Sequence, residues 1–250
     1  MDAVEIIRAE TQRFAEVLAA TAPDTCCPTC PDWSASDLLW HLTSVHLFWA
    51  GVLGRDARTE SDIAAVEQSK PDRPSATPDL LVLREQATDA LLEQLGRLDD
   101  AEPRWSWWPP DQTVGFTRRM QIHEATMHRV DAELAAGVPI SSIAPDVAAG
   151  AVDHAVDVMW GWPPDGAGYQ AHAVVEFTAT DVDRRWLVEV GRSKFGPRAL
   201  RATAGEPTAT VSAPAGDLAL WAWTRGGAVE IAGDDASVAA LDAVVTNGMQ

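Results

Sequence analysis

The sequence predicts an α+β protein in two parts, a helical bundle over residues 1–140 and a mixed helix-and-strand module over residues 141–250. Three observations carry that prediction. Four segments before residue 140 place apolar residues at helical spacing. Beyond Pro145, AHAVVEFTAT and RRWLVEV alternate with period two, as half-buried strands do. Between them Gly137 and Pro139 supply helix-stop chemistry, which sets the boundary near residues 138–145.

The elements follow in order. Helix one covers about residues 2–20, with Val4, Ile7, Phe14, Val17 and Leu18 forming its stripe. Helix two opens on a capping box, Ser34-Ala-Ser-Asp37, runs through DLLWHLTSVHLFWAGVL and stops near Gly54. Residues 55–76 are polar and proline-bearing, which suggests a surface crossover. Helix three begins at Thr77-Pro78, a cap followed by proline at the first helical position. Residues 99–116 are too rich in tryptophan for a solvated linker, and helix four runs from about Thr117 to Gly137. In the second part, PDVAAGAVDHAVDVMWGW reads as a fifth helix. The two alternating strands, a third at PTATVSA, a helix at DLALWAWTRGG, a short strand at AVEIAG and a last helix from DDASVAALDAVV complete it.

Bulk composition narrows the partners. The 250 residues carry 19 Lys and Arg against 37 Asp and Glu, a formal charge of -18, with no compact basic tract. Nucleic acid and anionic membrane surfaces are therefore not expected partners. No apolar run approaches the ~20 residues that span a bilayer, and MDAVEIIRAETQRF is a charged amphipathic start without a signal-peptide core. A cytoplasmic protein is expected. The three cysteines, Cys26, Cys27 and Cys30, sit together in CCPTC, which is no secreted disulfide framework. Cys27 and Cys30 have redox C-x-x-C spacing but lie in a turn after helix one, and no second cysteine pair exists for a structural zinc site. An incidental loop cluster is the simpler expectation.

Chemistry concentrates in helix four, at HEATMH. Residues four apart on a helix lie about 40° from each other around the axis, and residues five apart about 140°. Glu124 and His128 can thus share one ion, whereas His123 and His128 cannot easily do so, and the H-E-x-x-H protease reading fails. The bland alternative is a surface pair of carboxylate and imidazole. Against it, Gln121, Asp131, Ala132 and Ala135 share the face of His128, and a carboxylate buried there needs a partner or a metal. In helix two, His41 lies on the stripe of Leu38, Val45, Phe48 and Val52 and should point inward, as a hydrogen-bonded packing residue or as a ligand. His46 lies about 140° away from it.

The combination resembles a known family. Trp33-Ser-Ala-Ser-Asp37-Leu38-Leu39-Trp40-His41-Leu42, followed by Glu124-x-x-x-His128-Arg129-x-Asp131-x-Glu133-x-Ala135-x-Gly137, is similar to the mycothiol-dependent maleylpyruvate isomerases. These belong to the DinB/YfiT-like bundles. The resemblance covers essentially the whole chain. It implies a metal-binding four-helix bundle followed by a small α/β domain resembling sterol carrier proteins. It also implies that His41, Glu124 and His128 ligate zinc or a similar divalent metal. The C-terminal Leu218-x-x-Trp221-x-x-x-Arg225 looks like the family's L-x-x-W-x-x-x-R element and would bring Arg225 near the metal as a substrate-anion or transition-state group; a helix-end arginine favoured by the dipole is the alternative. Asp131 would either support a ligand or pair with Arg129 or Arg119, a structural role being the expectation. His154 stands where an acidic residue is expected in relatives.

The implied chemistry is thiol chemistry. A thiol on a cationic zinc is deprotonated at neutral pH, and the thiolate can attack an electrophilic small molecule, either in S-transfer or in reversible addition that isomerises a double bond. Mycothiol is the expected cosubstrate, which implies an actinobacterial source. Trp105 and Trp108 could wall the cleft against substrate, or simply pack at the end of the bundle. Two other expectations stand beside this one: a non-catalytic small-molecule binding protein, and a hydrolase in which zinc-bound water is the nucleophile.

Overall fold

The computed structural model describes residues 2–161 and 168–247, and the chain divides into two compact units, residues 1–141 and 142–250. The fold is α+β. Among the described residues no helix is long and apolar enough to cross a membrane.

The first unit is built on four long helices. Helix α1 (Ala3–Ala19) starts on Asp2, whose carboxylate accepts from the Val4 N–H. Helix α2 (Ala35–Gly54) starts on the expected capping box, in which Ser34 and Asp37 satisfy each other's backbone N–H groups. Helix α4 (Thr77–Arg97) carries Pro78 in its first turn, where a missing N–H costs nothing, but its cap residue is Ala76 and not Thr77. Helix α5 (Val114–Ala136) begins three residues before the expected start, because the Thr113 hydroxyl accepts from the Phe116 N–H. It ends where Gly137 takes the left-handed conformation at φ 66° that a side chain would resist. Phe14, Leu18, Leu38, Leu39, Leu42 and Leu80 form a core cluster between these helices, closed against α5 by Ala132.

Two elements depart from the sequence reading. The supposed crossover contains a helix, α3 (Glu60–Gln68), started by a second capping box between Thr59 and Asp62. The turn after α1 is a hairpin, β1 (Cys26–Cys27) against β2 (Cys30–Ser34), in which Cys27 lies opposite Cys30 across Pro28 and Thr29.

The second unit is a five-stranded sheet with order β5-β4-β3-β6-β7, formed by β3 (Gln170–Ala179), β4 (Arg184–Ser193), β5 (Gly196–Arg201), β6 (Ala209–Ala213) and β7 (Glu230–Gly233). The β3–β6 pair is parallel and the other pairs are antiparallel. Val175 and Phe177 on β3, Trp186, Val188 and Val190 on β4 and Val211 on β6 are buried, and α8 (Asp235–Thr246) packs over β3, β4 and β5. The expected fifth helix is α6 (Pro145–His154), which continues as a π-helical turn over Ala155–Met159; Trp162, the last residue assigned to it from sequence, lies outside the described residues. Helix α7 (Ala215–Ala222) packs on α6. Strand β5 was not expected: its GPRALR sequence lacks the alternation of its neighbours.

Candidate metal centre

The period of α5 and the inward turn of α2 bring three ligand-type side chains to one point. His41 Nε2 and His128 Nε2 each lie 3.2 Å from the same Glu124 Oε1, and one ligand atom from each residue falls within 4.8 Å of the other two. The two imidazole rings meet edge to face with centroids 4.7 Å apart. Two nitrogens and one oxygen on a tetrahedral zinc would sit about 3.4 Å from each other, given bonds of about 2.1 Å. The observed spacing therefore admits a divalent ion with little adjustment, and the donor set suits zinc or a similar metal.

The surroundings prepare the set. Asp131, fully buried, places Oδ2 2.9 Å from His128 Nδ1, so Nδ1 carries the proton toward the carboxylate and Nε2 faces Glu124. Arg129 binds Glu10 and Glu133, and Arg119 binds Asp111. Of the two roles the sequence left open for Asp131, the contact with His128 is the one of supporting a ligand-type side chain. Its other oxygen, Oδ1, accepts from the Thr29 hydroxyl at 2.6 Å, a contact from the hairpin that no spacing rule anticipates. On the opposite side the Trp33 ring packs against His41 with centroids 4.7 Å apart.

Electrostatics follow from this crowding. Burial pushes the Glu124 carboxyl upward, but hydrogen bonds from His128 and His41 and their charges more than offset it and hold the group well below the usual carboxylate range. Burial pushes the His128 imidazole down, yet its hydrogen bonds to Asp131 and Glu124 and their negative charges leave it pushed up to about 9. Two carboxylates beside two imidazoles make a site that attracts positive charge, by proton or by metal.

His41 is only partly inward: its side chain is 32 % exposed, like the 25 % of Glu124. The fully buried histidine of α2 is His46, whose Nδ1 lies 3.0 Å from the Thr88 hydroxyl and whose pKa burial drives down to about 3. His123, predicted to lie off the ligand face, is buried and stands outside the trio.

The tryptophans predicted to wall a cleft lie in the loop before α5. Trp105 is half-buried against Phe48 and Trp49, each with centroids 6.0 Å away, and its indole N–H donates to Glu60. Phe48 is seven residues past His41, hence on the same face of α2 about 10 Å along it. Trp108 packs edge to face on Trp107, which in turn meets Phe116 and donates to the Met120 sulfur, one turn before Glu124. Arg225 belongs to the second unit, where it is 9 % exposed and donates from Nη1 to the Trp223 carbonyl at 2.7 Å. His154, in the same unit, stacks on Trp223 with centroids 5.9 Å apart.

Comparison with known proteins accounts for both units. Residues 4–133 match the family model of the mycothiol maleylpyruvate isomerase N-terminal domain, and residues 146–240 match that of the MDMPI C-terminal domain. No curated protein matches the chain by sequence. Among solved structures, a crystal structure of the mycothiol-dependent maleylpyruvate isomerase superposes with a TM-score of 0.61 at 15 % identity over 94 % of both chains. A histidine-to-alanine mutant of it gives 0.60 at 14 %, again over 94 % of both chains. At such identities the structural likeness shows a shared fold, and the two family models, covering both units, settle membership. The chain belongs to the mycothiol maleylpyruvate isomerase family.

Proposed function

We propose that this protein is a zinc-dependent, mycothiol-using isomerase or S-transferase acting on an electrophilic small molecule in the cytoplasm. The observation that supports this most directly is the convergence of His41, Glu124 and His128, with His128 held by Asp131, on a scaffold of this family. A divalent metal bound by them would supply a cationic centre at which a thiol is held as thiolate at neutral pH.

The chain's own residues do the rest. His41 and His128 present imidazole nitrogens and Glu124 one carboxylate, so the site with its metal keeps a net positive charge and draws a thiolate. Asp131 accepts from His128 Nδ1 and fixes its tautomer. Trp33 packs against His41 and restrains its ring. Arg225 is assigned to the anionic end of the substrate, on the strength of its L-x-x-W-x-x-x-R element. Trp105 and Trp108 are assigned to the acceptor. In the isomerase reaction the thiolate adds to an activated double bond, the resulting single bond rotates, and expulsion of the thiolate restores the double bond in the other geometry. No atom is consumed.

The test begins with metal analysis of the purified protein, where about one divalent ion per chain is expected, lost in His41→Ala and His128→Ala. Mycothiol added to the cobalt-substituted protein should then change its visible spectrum, and a cis-configured unsaturated keto acid should isomerise only when mycothiol is present. A spectrum indifferent to mycothiol would remove thiol ligation from the proposal. Arg225→Ala should lower turnover at unchanged metal content; unaltered turnover would take Arg225 out of the site.

A further inference from the structure

The hairpin that touches the metal centre carries two thiols directly opposite each other. Cys27 and Cys30 are cross-strand partners, separated only by Pro28 and Thr29. Side chains at directly opposed positions project to the same face of a strand pair with Cβ atoms about 4.5–5.5 Å apart, and both cysteines pack against the same core cluster. A disulfide needs about 3.5–4.5 Å. Closing it draws the strands together by about 1 Å. The residue at the tip, Thr29, is the one whose hydroxyl is bonded to Asp131, and Asp131 in turn holds His128. Neither Pro28 nor Thr29 has positive φ, so the turn is not one of the primed types that match the twist of paired strands.

We propose that Cys27 and Cys30 form a reversible disulfide whose closure shifts Thr29 off Asp131 and loosens the hold of His128 on its metal. The metal half of this inference rests on the ligand assignment proposed above; the disulfide half does not. The oxidant is a low-molecular-weight disulfide, such as the oxidised form of the thiol cosubstrate, which reaches the protein from the surrounding thiol pool and not from its own reaction. The partly exposed Cys30 loses its proton to solvent and attacks one sulfur of that disulfide, expelling one thiolate, which takes up a proton. Cys27, fully buried, then displaces the second thiol and passes its proton to it. One protein disulfide forms, two electrons pass to the small disulfide, and two small thiols leave. Excess thiol reverses the sequence. The 2.6 Å Thr29 contact has little slack, since a hydroxyl hydrogen bond is largely lost beyond about 3.2 Å.

The zinc-loaded full-length protein is treated with an excess of oxidised mycothiol or oxidised glutathione, then examined by peptide mass spectrometry and by the rate of zinc transfer to a chromogenic chelator. The expected result is loss of two hydrogens mapped to the peptide joining Cys27 and Cys30, with zinc released several-fold faster, less than the ~10–100-fold that loss of the outer partner of a ligand histidine itself costs. Dithiothreitol should restore the slow rate. Cys26→Ser should behave as the unmodified protein, and Cys30→Ser should show neither change. Thr29→Val should release zinc fast before oxidation and no faster after it. A stable mixed disulfide on Cys26 or Cys30, or a closed disulfide with unaltered zinc release, would overturn the proposal. Untreated protein that holds no zinc would instead overturn the ligand assignment, while the mass result would still decide whether the disulfide forms.

Discussion

Helix α5 carries two clusters of ionisable side chains on faces about 140° apart, and they are built to different ends. On one face Glu124 and His128, with Asp131 behind them and His41 across from them, leave their ligand atoms converging on a common point, His128 buried and the other two ligand-type side chains partly exposed. On the other, Arg129 donates from Nε to Glu10 at 2.7 Å and from Nη1 to Glu133 at 2.8 Å and to the Ser141 carbonyl at 2.8 Å. Glu133, fully buried, also accepts from Arg13 and from the hydroxyl and N–H of Ser141. That network matches its charges internally and ties α1, α5 and the end of the unit together. In the proposed function the first cluster takes a cation from outside; the second has its own cations in Arg13 and Arg129. The same residue types serve binding in one place and architecture in the other, and convergence of lone pairs separates them.

Substitutions should pull the two faces apart. The largest loss of stability is expected from Arg129→Ala, which leaves the buried Glu133 with Arg13 and Ser141 alone and frees Glu10, and should cost about 3 kcal/mol in chemical denaturation, while the protein that remains folded keeps any metal it binds. Next, Glu124→Gln should weaken zinc binding by more than the ~100-fold typical of outer partners, read by chelator competition, with the metal-free fold nearly as stable as before. If both variants lost metal and stability together, the division of the helix into two faces would fail. A smaller effect belongs to Asp131→Asn, which should lower zinc affinity about 10–100-fold through His128.

The smallest concerns His46, buried on α2 and bonded to Thr88 of α4. Its folded pKa lies at about 3, below the unfolded value near 6.5, so between those limits the unfolded chain binds the extra proton. Stability is full above pH 6.5 and falls as pH drops, by about 1.4 kcal/mol at pH 5.5. His46→Gln should flatten this part of the stability profile; a profile unchanged by the substitution would mean that other groups govern acid unfolding.

Much of the site could be read from residue spacing. Glu124 and His128 were paired by helix geometry alone, and the Ser34–Asp37 box marked the start of α2. Choosing the third ligand needed the family resemblance, because α2 is apolar around most of its circumference and its periodicity does not distinguish the face toward α4 from the face toward α5. Hence His46 proved the more buried histidine, while Val45 and Phe48, on the supposed inner stripe with His41, are partly exposed. Helix α3 was signalled by Thr59 and Asp62 in the same way as α2, but its nine residues bury only Val66, too little for a hydrophobic stripe. Thr29 escaped notice because its contact with Asp131 joins segments far apart in sequence, and Trp33, though part of the helix-two motif, gave no sign of its packing on His41, since it lies before the helix and outside its periodicity.

The position of α5 as the last helix of its unit bears on how the protein is made. His41 and Glu124 are separated by 83 residues, which take roughly 4–17 s to synthesise at 5–20 residues per second. Throughout that interval on the ribosome, His41 and the three cysteines exist without the helix that completes the site, and α1 waits with Glu10 and Arg13 for Arg129 and Glu133. Both sets of partners arrive on one helix within ten residues of each other. Closure of the bundle and, on the proposed ligand assignment, competence to take up metal should therefore come as a single event late in translation.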